Sequence, residues 1–135
     1  MNEEIKQKFC REFGSDRVLL EEPMKRHTTF RIGGPAEVFV MPGNLEGVQR
    51  ILEICRTEDL PYFILGNGSN LLVGDGGYRG AVIQIYRNMS SVTVEGNEIT
   101  AQAGALLSAV AAAAKNASLT GFEFAGGIPG TIGGA

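Results

Sequence analysis

Two cysteines, Cys10 and Cys55, and one histidine, His27, are all the thiol and imidazole chemistry this sequence holds. The cysteines have no CxxC spacing, which argues against a cysteine-rich metal module and points to two free thiols, buried or half-buried. No apolar stretch approaches ~20 residues, so no membrane-spanning helix is expected. The amino-terminal "MNEEIKQKFC" lacks the apolar core of a secretory signal, and a cytoplasmic protein is expected. Positive charge is scarce too. Twelve Lys and Arg against 15 Asp and Glu leave a formal net charge of −3, which argues against a nucleic-acid partner gripped by its phosphates.

What is abundant is glycine, with 19 of 135 residues, close to twice its usual share. The rest is ordinary for a globular chain: 44% hydrophobic and 20% charged, enough for one domain with a real core.

Periodicity gives the order of elements. Ile5, Phe9 and Phe13, four apart, predict a short amphipathic helix over 3–13, read as a peripheral lid. A short strand is expected at Val18–Leu20 before Pro23. "AEVFVMP" (Ala36–Pro42) reads as a buried strand, and Asn44 as the N-cap of a helix with Leu45, Val48, Ile51, Leu52 and Cys55 on one face. "YFIL" (Tyr62–Leu65) is the next strand. Strand, helix and strand predict a βαβ unit, with Ala36–Pro42 and Tyr62–Leu65 as parallel neighbours. "LLV" and "AVIQI" follow as strands. "SVTVEGNEITAQA" carries two alternating runs around Gly96-Asn97, a hairpin signal, and an alanine-rich helix is expected near Leu106–Lys115. The pattern is mixed α/β, a βαβ-type half followed by a hairpin-and-helix half.

Two loops carry chemistry. "LGNGSN" (Leu65–Asn70) directly follows a strand, where sheets of this kind place ligand loops. Gly66 and Gly68 free their backbone amides, and with the Ser69 hydroxyl they suit a concave nest for a phosphate. No standard nucleotide motif fits. Leu71 stands where GxGxxG needs its third glycine, no Gly-Lys-Ser/Thr triplet exists, and Asn67 and Leu71 break a GxSxG elbow. A tight surface turn is the other reading. The second loop is "GFEFAGGIPGTIGGA", with six glycines in fifteen residues. Gly126-Gly127 and Gly133-Gly134 bracket Ile128, Pro129, Gly130 and Thr131, and Pro129 fixes a rigid φ. Such a loop presents several amide donors while shaping a pocket; packing alone is the alternative. Together the loops suit a long ligand such as a dinucleotide cofactor.

Single residues read more plainly. His27 and Arg31 are expected at the surface. Glu123 either accepts loop amides or faces solvent, and Asp75 in "VGDGG" reads as a turn former. No catalytic residue and no metal ligand is assigned.

"HTTFRIGGPAEVFVMP", "ILGNGSNLLVGDGGYRGAVI" and "GFEFAGGIPGTIGGA", in this order and spacing, resemble the amino-terminal portion of the UDP-N-acetylenolpyruvoylglucosamine reductase family. The likeness covers roughly residues 24–135. It implies an α+β fold, the FAD-binding domain of the vanillyl-alcohol-oxidase (PCMH) type, with FAD between two subdomains. Residues 1–22 would be a helical extension, 23–88 the first subdomain and 89–135 an incomplete second one. The resemblance puts the FAD diphosphate on Gly66–Asn70, beside Leu65. It runs Gly126, Gly127, Ile128, Pro129, Gly130, Thr131, Gly133, Gly134 and Ala135 beside the diphosphate and the flavin. It further implies NADPH as hydride donor and a UDP-sugar enolpyruvyl ether as substrate. The family's catalytic arginine, serine and glutamate have no counterpart here: Ser69, Ser108 and Glu123 do not match them. The chain is therefore expected to be no intact enzyme, to hold FAD weakly, and to associate with itself through an exposed sheet edge. A related FAD-type domain serving another oxidoreductase is the second class of function.

Overall fold

The computed structural model describes residues 1–135. Its elements are α1 (Glu3–Phe13), β1 (Val18–Pro23), β2 (Pro35–Val40), α2 (Leu45–Thr57), β3 (Tyr62–Leu65), β4 (Tyr78–Gln84), β5 (Val92–Glu95), β6 (Glu98–Ala101) and α3 (Leu107–Asn116). Both longer helices start on side-chain caps. The Asn2 amide oxygen accepts from the Ile5 N–H at 2.9 Å, and that of Asn44 from the Gly47 N–H at 2.8 Å.

β1 to β4 form one sheet in the order β1-β2-β4-β3, with β1 antiparallel to β2 and the other pairings parallel. The expected neighbours, Ala36–Pro42 and Tyr62–Leu65, do lie in one sheet and run the same way. They are not adjacent, because β4 inserts between them. The reason is burial. Ala81, Val82 and Ile83 of β4 are wholly covered on both faces, whereas Tyr62, Phe63 and Ile64 of β3 are exposed. The strand with more surface to hide takes the centre. One extra residue in β4 between Tyr78 and Ala81 shifts the register, at Gly80, where a Cβ would run into the Pro61 carbonyl.

Two cores sit on the two faces of this sheet. Val38, Val40, Ala81 and Ile83 pack with Ile51, Ile54 and Cys55 of α2 and with Phe9 of α1. Phe39, Val82 and Leu65 pack instead with Met24 and Ala36, backed by Leu71 and Val73. Alternation along β2 and β4 sends neighbouring side chains to opposite cores. Leu71–Val73, expected as a strand, forms none. Leu71 and Val73 serve as apolar cover for the second core, and Leu72 is exposed. On α2 the buried face is Ile51, Ile54 and Cys55; Leu45, expected there, is exposed. Burial pushes the Cys55 thiol up from its ordinary range, and both cysteines are free.

α1 is no peripheral lid: Phe9 is fully buried in the first core. Arg50 of α2 clamps it with a two-pronged contact to Glu12, at 2.6 and 2.7 Å, and also reaches Glu53. The Arg50 guanidinium holds the Glu12 carboxyl below its usual range. A carboxylate lowered in the folded state stabilises above its unfolded pKa. The clamp is therefore intact at neutral pH and is lost as acid protonates Glu12.

The second half is smaller. β5 and β6 form the expected hairpin, paired Val92↔Ala101 through Glu95↔Glu98, with Gly96 at φ +59 at the first turn position. α3 packs on it with Val110 and Ala114 buried.

Replacing Phe9 with alanine is expected to cost about 3–5 kcal/mol, as for any fully buried ring. Denaturant unfolding measures it. A lid would lose well under about 1 kcal/mol.

Candidate functional site

The ladder between β3 and β4 ends at Leu65 and Gln84, and the chain then leaves the sheet at the carboxyl ends of its parallel strands. The loop that emerges, 66–70, is held on every side. The Gln84 side-chain amide donates to the Gly66 carbonyl at 3.2 Å. The Thr29 N–H donates to the Gly68 carbonyl at 3.1 Å, and the Thr29 hydroxyl to that of Ser69 at 3.4 Å. Gly68 sits at φ +72, and a Cβ there would be driven into the His27 carbonyl oxygen. A Cβ on Gly66 would stand 2.6 Å from Thr131 Oγ1. Both glycines are therefore required by close approach.

The closing loop is fixed by backbone bonds to the start of α3. Leu107 N–H donates to Gly130 O at 3.0 Å, Ile132 N–H to Ala105 O at 2.8 Å, and Gly133 N–H to Ala103 O at 2.8 Å. Thr131 is 2% exposed, and its hydroxyl oxygen accepts from the Gly134 N–H at 3.3 Å. The two loops, sixty residues apart in sequence, meet directly: the Ser69 hydroxyl donates to the Pro129 carbonyl.

Between them lies a groove of about 490 Å³, lined by Leu65–Asn70 and by Ile128–Thr131, Gly134 and Ala135. Every residue from Gly66 to Asn70 lines it. Gly126, Gly127 and Gly133 do not; Gly133 instead packs on Ala103. The amides of Gly66, Asn67, Gly68, Asn70, Gly127, Gly130 and Thr131 donate to no acceptor in the protein. Gly68 is buried as well, so its free N–H is an expense the fold carries unless an outside acceptor meets it. Negative charge is what such a row of donors attracts.

Three neighbours follow the sequence reading only in part. His27 is no surface residue: its ring stacks on Phe39, centroids 4.0 Å apart, and its Nε2 meets Glu22 Oε1 at 2.9 Å. Its carbonyl backs the loop at Gly68, a role no sequence signal announced. Glu123 accepts the Gly121 N–H at 2.9 Å and so braces the approach to the glycine loop rather than the loop itself. Arg31 is exposed as expected, but it opens onto a second cavity beside the groove.

An α+β sheet with a donor-lined groove between two glycine loops defines a dinucleotide-type cofactor domain. The family described as "FAD binding domain" matches residues 36–135, and the chain belongs to it. Over 133 residues the chain is 51% identical to the UDP-N-acetylenolpyruvoylglucosamine reductase of Alkaliphilus metalliredigens (strain QYMF), covering 98% of this chain and 44% of that protein. The enzyme of the same name from Clostridioides difficile (strain 630) is 44% identical over 134 residues, 99% of this chain and 44% of that one. The chain thus spans less than half the length of the curated relatives it matches. Among solved structures, UDP-N-acetylenolpyruvylglucosamine reductase from Thermus caldophilus superposes with a TM-score of 0.69 at 36% identity, over 87% of this chain and 40% of that one. p-Cresol methylhydroxylase, at 20% identity and a TM-score of 0.62 over 86% of this chain and 25% of its own, shares the fold. The α+β, PCMH-type reading of the sequence therefore holds.

Gly68→Ala is expected to destabilise the ligand-free chain by roughly 1–3 kcal/mol, through φ and the His27 carbonyl. Gly130→Ala, whose Cβ stands 3.9 Å from Ser69 Oγ, is expected to cost little. Thermal unfolding of both variants without ligand checks the contrast.

Proposed function

We propose that the groove holds FAD, with its diphosphate against the amides of Gly66–Asn70 and with Gly126–Ala135 alongside the diphosphate and the flavin. The observation that carries this is the row of unpartnered backbone donors in a loop whose glycines are held too close to His27 and Thr131 for any side chain. Gly66, Asn67, Gly68 and Asn70 offer hydrogen bonds to oxyanions. The bond from Ser69 to the Pro129 carbonyl keeps the two loops at a fixed separation, so the donors are set before a ligand arrives. Leu71, Leu107 and Ile128 supply an apolar lining that excludes water from one side. FAD, when bound, supplies a ring that accepts and returns a hydride.

On this reading the chain is the FAD-binding portion of a cytoplasmic reductase. The full enzyme reduces UDP-N-acetylglucosamine enolpyruvate to UDP-N-acetylmuramate with NADPH, a step of peptidoglycan synthesis. The sequence relatives support it. The first subdomain would be 23–88 and the second would begin at 89. The matched relatives are more than twice as long as this chain, so the proton donor and substrate domain belong to the remainder. The exposed edges of β3 and of the β5–β6 hairpin support self-association of the isolated chain.

A flavin fluorescence titration tests the groove. FAD is expected to bind the chain weakly, and Gly130→Leu to weaken it at least about tenfold while shifting stability by no more than about 0.5 kcal/mol. Equal FAD affinity in the variant would place the cofactor elsewhere. A second assay tests the division of labour: with NADPH and the enolpyruvyl substrate, this chain alone is expected to show no substrate-dependent NADPH oxidation.

A further inference from the structure

His27 is the chain's one imidazole, and it stands behind the 66–70 loop instead of in the groove. Its carbonyl faces Gly68 with no room for a side chain between them. The backbone is tied on both sides of that carbonyl. The His27 N–H donates to the Met24 carbonyl at 2.9 Å, and the Thr29 N–H to the Gly68 carbonyl at 3.1 Å. The side chain is tied as well, its face by the stack on Phe39 and its edge by Glu22. A ring fixed in this way holds its own Cα in place, and through it the carbonyl against Gly68. The free N–H of Gly68 thus takes its direction from a residue on the far side of the loop.

The ring also brings a proton site that the groove lacks, since none of the side chains lining the groove is ionisable. The Glu22 carboxylate only accepts hydrogen bonds, so Nε2 bears the hydrogen and Nδ1 is the basic nitrogen. Nδ1 has no partner in the protein. The side chain keeps 18% of its surface exposed and lines a cavity of about 890 Å³ behind the loop, where water reaches it. The charged groups facing it can be named. Glu22, at the end of β1, favours a charged ring; Arg26, 3.8 Å from the same Glu22 oxygen, opposes it. Lys25, Arg31 and Arg87 share the cavity and oppose it too. β2 offers Phe39 and the loop offers Gly68, neither of them charged. An anion seated on the loop tips this balance toward the imidazolium.

We propose that His27 is a positioning residue for the diphosphate: it sets the Gly68 amide from behind and adds a titratable positive charge to an otherwise uncharged cradle. This rests on the flavin reading for the identity of the anion, and on His27, Glu22 and Gly68 for the rest. Imidazole gains its charge between about pH 5 and 8, a range in which a diphosphate diester keeps both of its own. Protonation of Nδ1 raises the positive potential behind the amide row, so the anion binds more tightly as pH falls through that range. By reciprocity, binding of the anion takes up a proton.

Two measurements on this chain test it. The first needs no ligand and follows amide resonances by NMR from about pH 8 to about pH 5.5. The Gly68 and Ser69 amides are expected to shift with the same midpoint as the His27 ring protons. His27→Gln, which keeps an N–H for Glu22 but does not titrate, is expected to abolish that shift. The second reads FAD affinity by flavin fluorescence at about pH 8 and about pH 6. Affinity is expected to rise about threefold toward acid in the unsubstituted chain and to stay level in His27→Gln. His27→Ala, which loses stack and donor together, is expected to weaken FAD about tenfold at either pH, and His27→Gln to recover part of that loss. Circular dichroism checks the fold of each variant, and His27→Gln alone decides the matter where His27→Ala does not fold. The proposal is overturned if Gly68 and Ser69 ignore the titration of His27, or if His27→Gln keeps the pH dependence of FAD binding. Coupled Gly68 and His27 signals in a chain that binds no FAD overturn the flavin reading alone and uphold the positioning of the loop by His27.

Discussion

Gly68 passes so close over the His27 carbonyl that no side chain fits between them, and the rest of the site is arranged around that contact. It forces φ +72 on Gly68 and leaves its N–H without a partner in the protein. It also presses residues 27–29 against the back of the loop, where Thr29 ties down Gly68 and Ser69. On the front, Thr131 fills the space left by the missing side chain of Gly66. The loop is therefore clamped between a backbone carbonyl and a buried threonine.

The sheet explains why His27 is where it is. Phe39 on β2 offers its ring to the His27 imidazole, and Glu22 at the end of β1 holds the outer nitrogen. Phe39 belongs to the second core, the face of the sheet covered by loops instead of helices. The helical face, with Phe9 and α2, carries stability. The loop-covered face carries the site. One sheet thus separates the two tasks by the side on which each side chain emerges.

Much of this was legible in the residues. Asn44 read as a cap and is one; Gly96-Asn97 read as a turn and joins two paired strands. The two glycine loops stood out because no surface turn needs so many residues without side chains, and the structure brings them to one groove. The strand order was not legible. "YFIL" and "AVIQI" are both short, largely apolar runs, and periodicity says nothing about which becomes the edge. The place of α1 was missed for a related reason: Ile5, Phe9 and Phe13 mark an apolar face but not the depth at which it is buried. The basic cavity was invisible because Lys25, Arg31 and Arg87 are scattered through the sequence. Only the return of β4 beside β2 carries Arg87 back to the other two.

That same strand order has a consequence in time. β4, the centre of the sheet, is the last of its four strands to leave the ribosome. β1 and β2 are antiparallel and close in sequence, so both partners of that pair are made before β4. β2 and β3 each wait for residues 78–84 before either finds its parallel partner. Until then the backbone hydrogen-bonding edge of β3 and the open side of β2 have no strand to pair with. Folding is thus gated by the synthesis of one seven-residue segment, and closing the sheet requires a newcomer to enter between two strands already made.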